Sequence, residues 1–268
     1  MRTAAMLAIL PLLIGATSPK PVAPDLMIGT FTNEEQVYFE AEAGGKPQPW
    51  FAMRVSATAD GLLIEEPDVF GALHSEGHGV KRHKEGKLTV LDYGACQRLY
   101  RTEAGTMVAA GMRGTCRAPA TITRVDAKAI TLTYPDGKTS ELRRSRPVTC
   151  WSAVKKDAPK PDGKEDWYFA QNVKLHDQGG RALIGNDVAG VKPVIIRMRN
   201  VTWGQGSTNR PSIVLYIHTQ DEPNEAVSYV WADPGAARIG INLRWMQASC
   251  TVDGAERASE ITPKTFRG

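Results

Sequence analysis

His74, Glu76 and His78 alternate in the segment LHSEGHGVKRH, with His83 a little further on. Alternate residues of an extended chain project from one face, so two imidazoles and a carboxylate would point the same way. That is a ligand set for zinc or copper. Lys81, Arg82 and Lys84 stand beside it and repel a cation, and the glycines of the stretch suit a solvated turn. We expect no metal here.

Arginines offer a second kind of chemistry. In IIRMRNVTW, Arg197 and Arg199 share one face of a strand, with Ile196 and Met198 on the other. Adjacent guanidinium groups clamp a carboxylate or phosphate, or they face water opposite nearby acids. Arg98 and Tyr100 lie on the side of Cys96 in CQRLYR. If that side lines a cavity, Arg98 meets an acidic group of a ligand and Tyr100 stacks on its ring. If it faces water, both decorate an exposed strand.

Other motifs carry less. Trp203, Trp231 and Trp245 would bind a sugar or flat ring if stacked together, but large aromatic residues more often fill a core, the reading adopted here. His218 and Asp221 in IHTQDE invite a search for a nucleophilic triad, but no Gly-x-Ser-x-Gly accompanies them. Asn200-Val201-Thr202 matches a glycosylation triplet inside an expected strand. HDQGG, 176–180, reads as a tight polar turn, with a backbone anion nest as the alternative. No residue stands out as catalytic.

The four cysteines are Cys96, Cys116, Cys150 and Cys250, and no CxxC occurs among them. Redox-pair and zinc-knuckle readings therefore fall away. Three connectivities would satisfy two bridges. The expected ones are Cys96–Cys116 and Cys150–Cys250, closing a short and a long loop worth about 3 and ~5 kcal/mol respectively by loop-closure entropy.

Disulfides need an oxidising compartment. The chain opens with Arg2, an apolar run from Met6 to Ile14 and the small residues Ala16-Thr17-Ser18. This is the build of a secretory signal peptide over 1–18, too short to span a bilayer. The expected localisation is periplasmic or secreted, with no transmembrane segment. Positive and negative side chains are interspersed and the formal charge is only +4, so no nucleic-acid stripe is present.

The elements that must hold these groups are nearly all strands. A helix of about ten residues fits within MIGTFTNEEQVYFEAEAGG, opened by a capping box (Asn33/Gln36 or Thr32/Glu35) and stopped at Gly44-Gly45. From Trp50 the period changes to two, as in PWFAMRVSA, and YPDGKT marks a hairpin. A hairpin at Glu103–Gly105 would pair Cys96 nearer Met112 than Cys116, so a further bend at Gly114 is required. The charged, proline-bearing segment around 155–164 reads as a linker. The expected fold class is all-β: an antiparallel calyx barrel over 22–150 and a second antiparallel β unit over 165–252.

Two stretches of the first half, LMIGTFTNEEQVYFEA and ACQRLYRTEAGTMVAAGMRGTC followed by CWSA, resemble the T-type phycobiliprotein chromophore lyases, the CpcT/CpeT family. The resemblance implies a lipocalin-like barrel around a cavity for a linear tetrapyrrole, a bilin. The family's Tyr-Arg-Gln-Arg strand has no counterpart here, where the nearest region reads HGVKRHKEGKLTV. No catalytic residue is therefore carried over. An exported chain would also not meet a phycobiliprotein, which is assembled inside cells. The sequence reading is an exported binding protein for a small hydrophobic or tetrapyrrole-like molecule, with no other cofactor. Its alternatives are a bilin lyase and a structural envelope protein whose barrel is filled by side chains.

Overall fold

The computed structural model describes residues 25–117, 119–203 and 206–253. The expected signal segment and the polar tail after Asp253 lie outside the described residues. No helix among the described residues is long and apolar enough to cross a membrane.

Ten strands close into an antiparallel barrel. They are β1 (Gly29–Thr32), β2 (Ala52–Ala57), β3 (Gly61–Glu65), β4 (His78–Glu85), β5 (Leu88–Asp92), β6 (Cys96–Glu103), β7 (Thr106–Gly114), β8 (Thr121–Val125), β9 (Ala129–Thr133) and β10 (Thr139–Arg144). Neighbours in sequence are neighbours in the wall, and β1 closes the ring by pairing both β2 and β10. Closure removes the unpaired edges that an open sheet exposes. The period-two pattern sends Val55 of β2, Leu62 of β3, Leu91 of β5, Tyr100 of β6 and Leu142 of β10 into one buried cluster. The segment ahead of β1 stoppers one end: Met27 joins that cluster, and Arg144 donates to the carbonyls of Leu26, at 2.5 Å, and Ile28.

The β6–β7 hairpin turns on Ala104 and Gly105, with φ of 46° and 78°. Two left-handed residues match the right-handed twist of the flanking strands. Leu99 faces Gly111 while Tyr100 faces Ala109, so one residue of β7 bulges out. Cys96 then faces Gly114, whose φ of 77° supplies the bend that brings Cys116 back. The Cα atoms of this disulfide are 5.2 Å apart.

Helix α1 (Glu34–Glu42) ends at Gly44, whose φ is 74°. The expected capping box is not formed. Asn33 instead ties the start of the helix to the approach to β2, donating to Pro49 O at 2.9 Å and accepting from Phe51 N–H at 2.7 Å. Gln36 accepts the Glu141 amide of β10 at 2.9 Å. Tertiary partners outcompete local caps here.

The remaining strands form two four-stranded sheets. They are β11 (Pro147–Lys155), β12 (Trp167–His176), β13 (Gln178–Ile184), β14 (Val194–Val201), β15 (Ser212–Thr219), β16 (Ala226–Ala232), β17 (Arg238–Asn242) and β18 (Met246–Val252). One sheet has the order β12-β11-β18-β17, the other β13-β14-β15-β16. They face each other across a single core that includes Val148, Val154, Ile196, Met198, Leu215 and Met246. Cys150 and Cys250 stand directly opposite in the β11–β18 register, their Cα atoms 4.0 Å apart.

The domain boundary is corrected. β11 belongs to the sandwich, not to the barrel, and 156–166 is the long connection of the β11–β12 hairpin. The expected linker at 155–164 thus joins neighbours in one sheet. Charge and proline report solvent exposure, which a hairpin loop shares with a linker. The chain crosses between the two bodies at Ser145–Arg146 instead. Ser145 N–H bonds Thr30 O at 2.8 Å, and Arg146 holds the buried Asp177 with its guanidinium at 2.6 Å.

Candidate functional site

A cavity of about 790 Å³ occupies the barrel end opposite the N-terminal stopper. It is built from the first residues of even-numbered strands and the last of odd-numbered ones. Phe51, Met53, Ile64, Ile122 and Leu132 give it an apolar wall. The Cys96–Cys116 bridge lies in that wall as well. Both expected disulfides are formed in the structure, and the first one fixes the irregular end of the β6–β7 ribbon where the cavity opens.

Polar groups are few around this cavity: Arg98, Arg117, Glu66, His78 and Thr115, with the phenols Tyr93 and Tyr134. Arg98 has no hydrogen-bond or ion-pair partner among the described residues. Every guanidinium carries five donors, so one left free beside an apolar wall is a ready counter-charge for an acid. Desolvation holds the Tyr93 hydroxyl above its ordinary pKa while the nearby Arg98 charge opposes that rise.

Tyr100 is on the same strand but not in the cavity wall. It is fully buried in the barrel core below, and its hydroxyl donates to Ile122 O at 3.2 Å. Burial pushes that hydroxyl's pKa up strongly, so it stays protonated. Tyr100 supports Ile122 from beneath. It does not offer a ring for stacking.

Arg197 and Arg199 do share one face of β14, but that face is turned to the barrel. Glu34, the first residue of α1, pairs with Arg197 and lies 3.4 Å from the Arg199 Nε. Trp50 Nε1 donates to the same carboxylate at 3.0 Å. Arg199 also lies over the Tyr38 ring at 3.6 Å. These arginines are occupied in fastening the sandwich to the barrel, so they are not a free anion clamp. Glu35 beside them pairs with Arg143 and accepts the Thr202 amide at 2.5 Å, and burial raises its pKa.

The remaining candidates disperse. His74 pairs with Asp68 at 3.0 Å and His83 with Glu85 at 3.1 Å, while His78 reaches the cavity. No group of three or more metal-ligating side chains gathers among the described residues. Trp203 and Trp231 stack at 6.4 Å, but Trp231 and Trp245 are exposed, which corrects their reading as core. His218 is buried on β15, apart from the exposed Asp221. HDQGG does turn the chain between strands, at Asp177. It is the buried crossing from β12 to β13, with Gly179 at φ 83° directly against Glu34.

Sequence reasoning reached Arg98 and the disulfide but missed Tyr93, Tyr134, Glu66 and Arg117. Each sits at a strand end or in a loop, where alternation gives no signal. Only closure of the barrel brings them around one opening. Comparison with protein-family models, curated proteins and solved structures finds no match for this chain.

Proposed function

We propose that this chain is an exported, lipocalin-like binding protein whose barrel mouth takes an amphipathic acid: a hydrophobic body with a carboxylate, of tetrapyrrole or comparable size. The observation that carries the reading is Arg98, without a partner among the described residues, beside an apolar cavity of about 790 Å³. Small-molecule sites fall in this size range and combine an apolar wall with a few placed polar groups. The cavity favours a ligand over a barrel filled by side chains. The resemblance to the T-type lyases supports a linear tetrapyrrole as one ligand class, and the paired cysteines support an oxidising compartment.

The test is non-denaturing mass spectrometry of protein purified from its native compartment, followed by titration with biliverdin and with a fluorescent fatty acid. Retained small-molecule mass, or saturable one-to-one binding weakened by Arg98→Met, is the expected result. Absence of binding to either probe, together with a ligand-free native mass, overturns the proposal. Transfer of biliverdin to an acceptor thiol would move the reading to a lyase.

A further inference from the structure

The barrel mouth is not the molecule's sole concave surface. A groove of about 580 Å³ lies on the outer face of the sheet β12-β11-β18-β17, away from the sandwich core. Two aromatic side chains, Trp151 and Phe169, line it and are 38% and 63% exposed. The registers place Trp151 beside Ser249, and Thr149 beside Thr251, which in turn faces Arg238. Alternation thus sets a row of hydroxyls next to an indole on one sheet face.

The backbone is irregular at this point. The β11–β12 register slips between Cys150 and Ser152, so that Gln171 and Asn172 of β12 together stand opposite Trp151, one residue in excess. Asn172 has φ of 56°, one of two non-glycine residues with positive φ among the described residues. Bulges and left-handed residues of this kind re-aim side chains and concentrate at binding sites. Both amides line the groove, and neither side chain hydrogen-bonds to another described residue.

Most of the groove's other polar groups are held in place. Arg238 Nε donates to Ser249 Oγ at 2.6 Å. Lys174 donates to Thr149 Oγ1 at 2.6 Å, and Thr149 donates onward to Asp253 at 3.2 Å. The lining carries one cation, Arg238, and one anion, Asp253, so no single charge sign dominates. Exposed rings stack on the apolar face of a pyranose, while planar amides and fixed hydroxyls match its equatorial hydroxyl groups. Charge segregation would be expected for a nucleic acid or a lipid surface, and a protein interface would have a drier, more apolar centre.

We propose that this groove is an oligosaccharide-binding site, with Trp151 and Phe169 as stacking platform and Gln171 and Asn172 as hydrogen-bonding partners. It is independent of the barrel cavity. In an exported protein it would hold the molecule on a glycan while the barrel carries its own ligand.

The test begins with the full mature chain, fluorescently labelled, on a glycan microarray, followed by calorimetric titration with the best-bound oligosaccharide. Phe169→Ala and Trp151→Ala are each expected to weaken binding at least tenfold. Asn172→Gly removes the amide while suiting the positive φ, and is expected to weaken binding several-fold with the fold intact. Arg98→Met should leave glycan affinity unchanged. No glycan bound above background overturns the proposal. So does binding that survives all three groove substitutions, or binding that falls with Arg98→Met. A self-association of the chain abolished by Phe169→Ala, without glycan binding, would likewise overturn it and make the groove a contact between copies.

Discussion

Glu34 and Arg197 lie 163 residues apart in sequence and form a buried ion pair where the barrel meets the sandwich. Arg199 shares the carboxylate, so a single acid serves two guanidinium groups whose side chains are 12% and 3% exposed. Glu34→Ala would strand both. Removing one partner of a buried pair costs about 3–5 kcal/mol, because the remaining charge keeps its desolvation penalty. Urea unfolding should show that loss. Glu141→Ala, which removes an exposed partner of Arg143, should change stability by less than about 1 kcal/mol.

Gly179 should be intolerant for a related reason. Its φ is 83°, and a Cβ there would run into the Glu34 carboxylate. Gly179→Ala therefore combines a disfavoured left-handed conformation with displacement of the acid that both arginines need. We expect a clear drop in thermal midpoint. Gly79→Ala on β4, where nothing lies within 4 Å of the added carbon, should leave the midpoint nearly unchanged.

These junction residues mark how far the sequence alone could reach. Alternation in PWFAMRVSA and its successors gave the strands, and the glycine pair gave the helix end, because both are local. The β6–β7 hairpin and the bend at Gly114 were also readable, but the register was not: the bulge between Leu99 and Tyr100 sets Cys96 opposite Gly114, where the expected partner lay nearer Met112. Alternation says which face a residue occupies, but not which strand lies beside it. The β1–β10 pairing that closes the barrel, the transfer of β11 to the sandwich and the Glu34 contact with Arg197 are all long-range choices. Local capping logic failed at Asn33 because Pro49 and Phe51 compete for its side chain. Arg98 was legible from its neighbour Cys96. Tyr134 and Glu66 were not, because nothing near them in sequence suggests a shared opening.

The two disulfides should fail differently. Cys150–Cys250 spans 100 residues and is buried in the sandwich core, so replacing both with serine should cost close to ~5 kcal/mol of global stability. Cys96–Cys116 spans 20 residues at the mouth of the barrel, for which the same argument gives about 3 kcal/mol. Its loss should appear first as faster amide exchange across 93–117 and weaker ligand binding. Hydrogen-exchange mass spectrometry of the two double variants separates these outcomes.

Arg98→Met should isolate the charge from the shape of the barrel mouth. The methionine keeps an unbranched apolar stem but donates nothing. A charge-assisted hydrogen bond to a carboxylate contributes about 1.5–3 kcal/mol, which is roughly a tenfold to hundredfold loss of affinity for an acidic ligand. The methyl ester of the same ligand should bind the wild type and the variant alike. Equal losses for acid and ester would mean that Arg98 acts through packing.

His218 makes stability depend on pH. Its side chain is buried on β15, and neither ring nitrogen makes a hydrogen bond of normal geometry among the described residues. Desolvation, opposed by the nearby Glu225 backbone and aided by the charges of Arg197 and Arg181, lowers its pKa from 6.5 to about 4. The folded protein thus holds the neutral ring where the unfolded chain takes up a proton. Stability from this group is fully present above pH 6.5 and is lost progressively as the pH falls towards 4. His218→Phe keeps a flat ring and removes both the proton site and the unpaired nitrogens. At pH 7.5 the variant should match or exceed the wild type in a urea melt, since replacing an unsatisfied buried polar group by an apolar one of similar shape carries no penalty. Between pH 6.5 and 4 the gap in its favour should widen, whereas parallel curves over that range would show that the buried imidazole is not the titrating group.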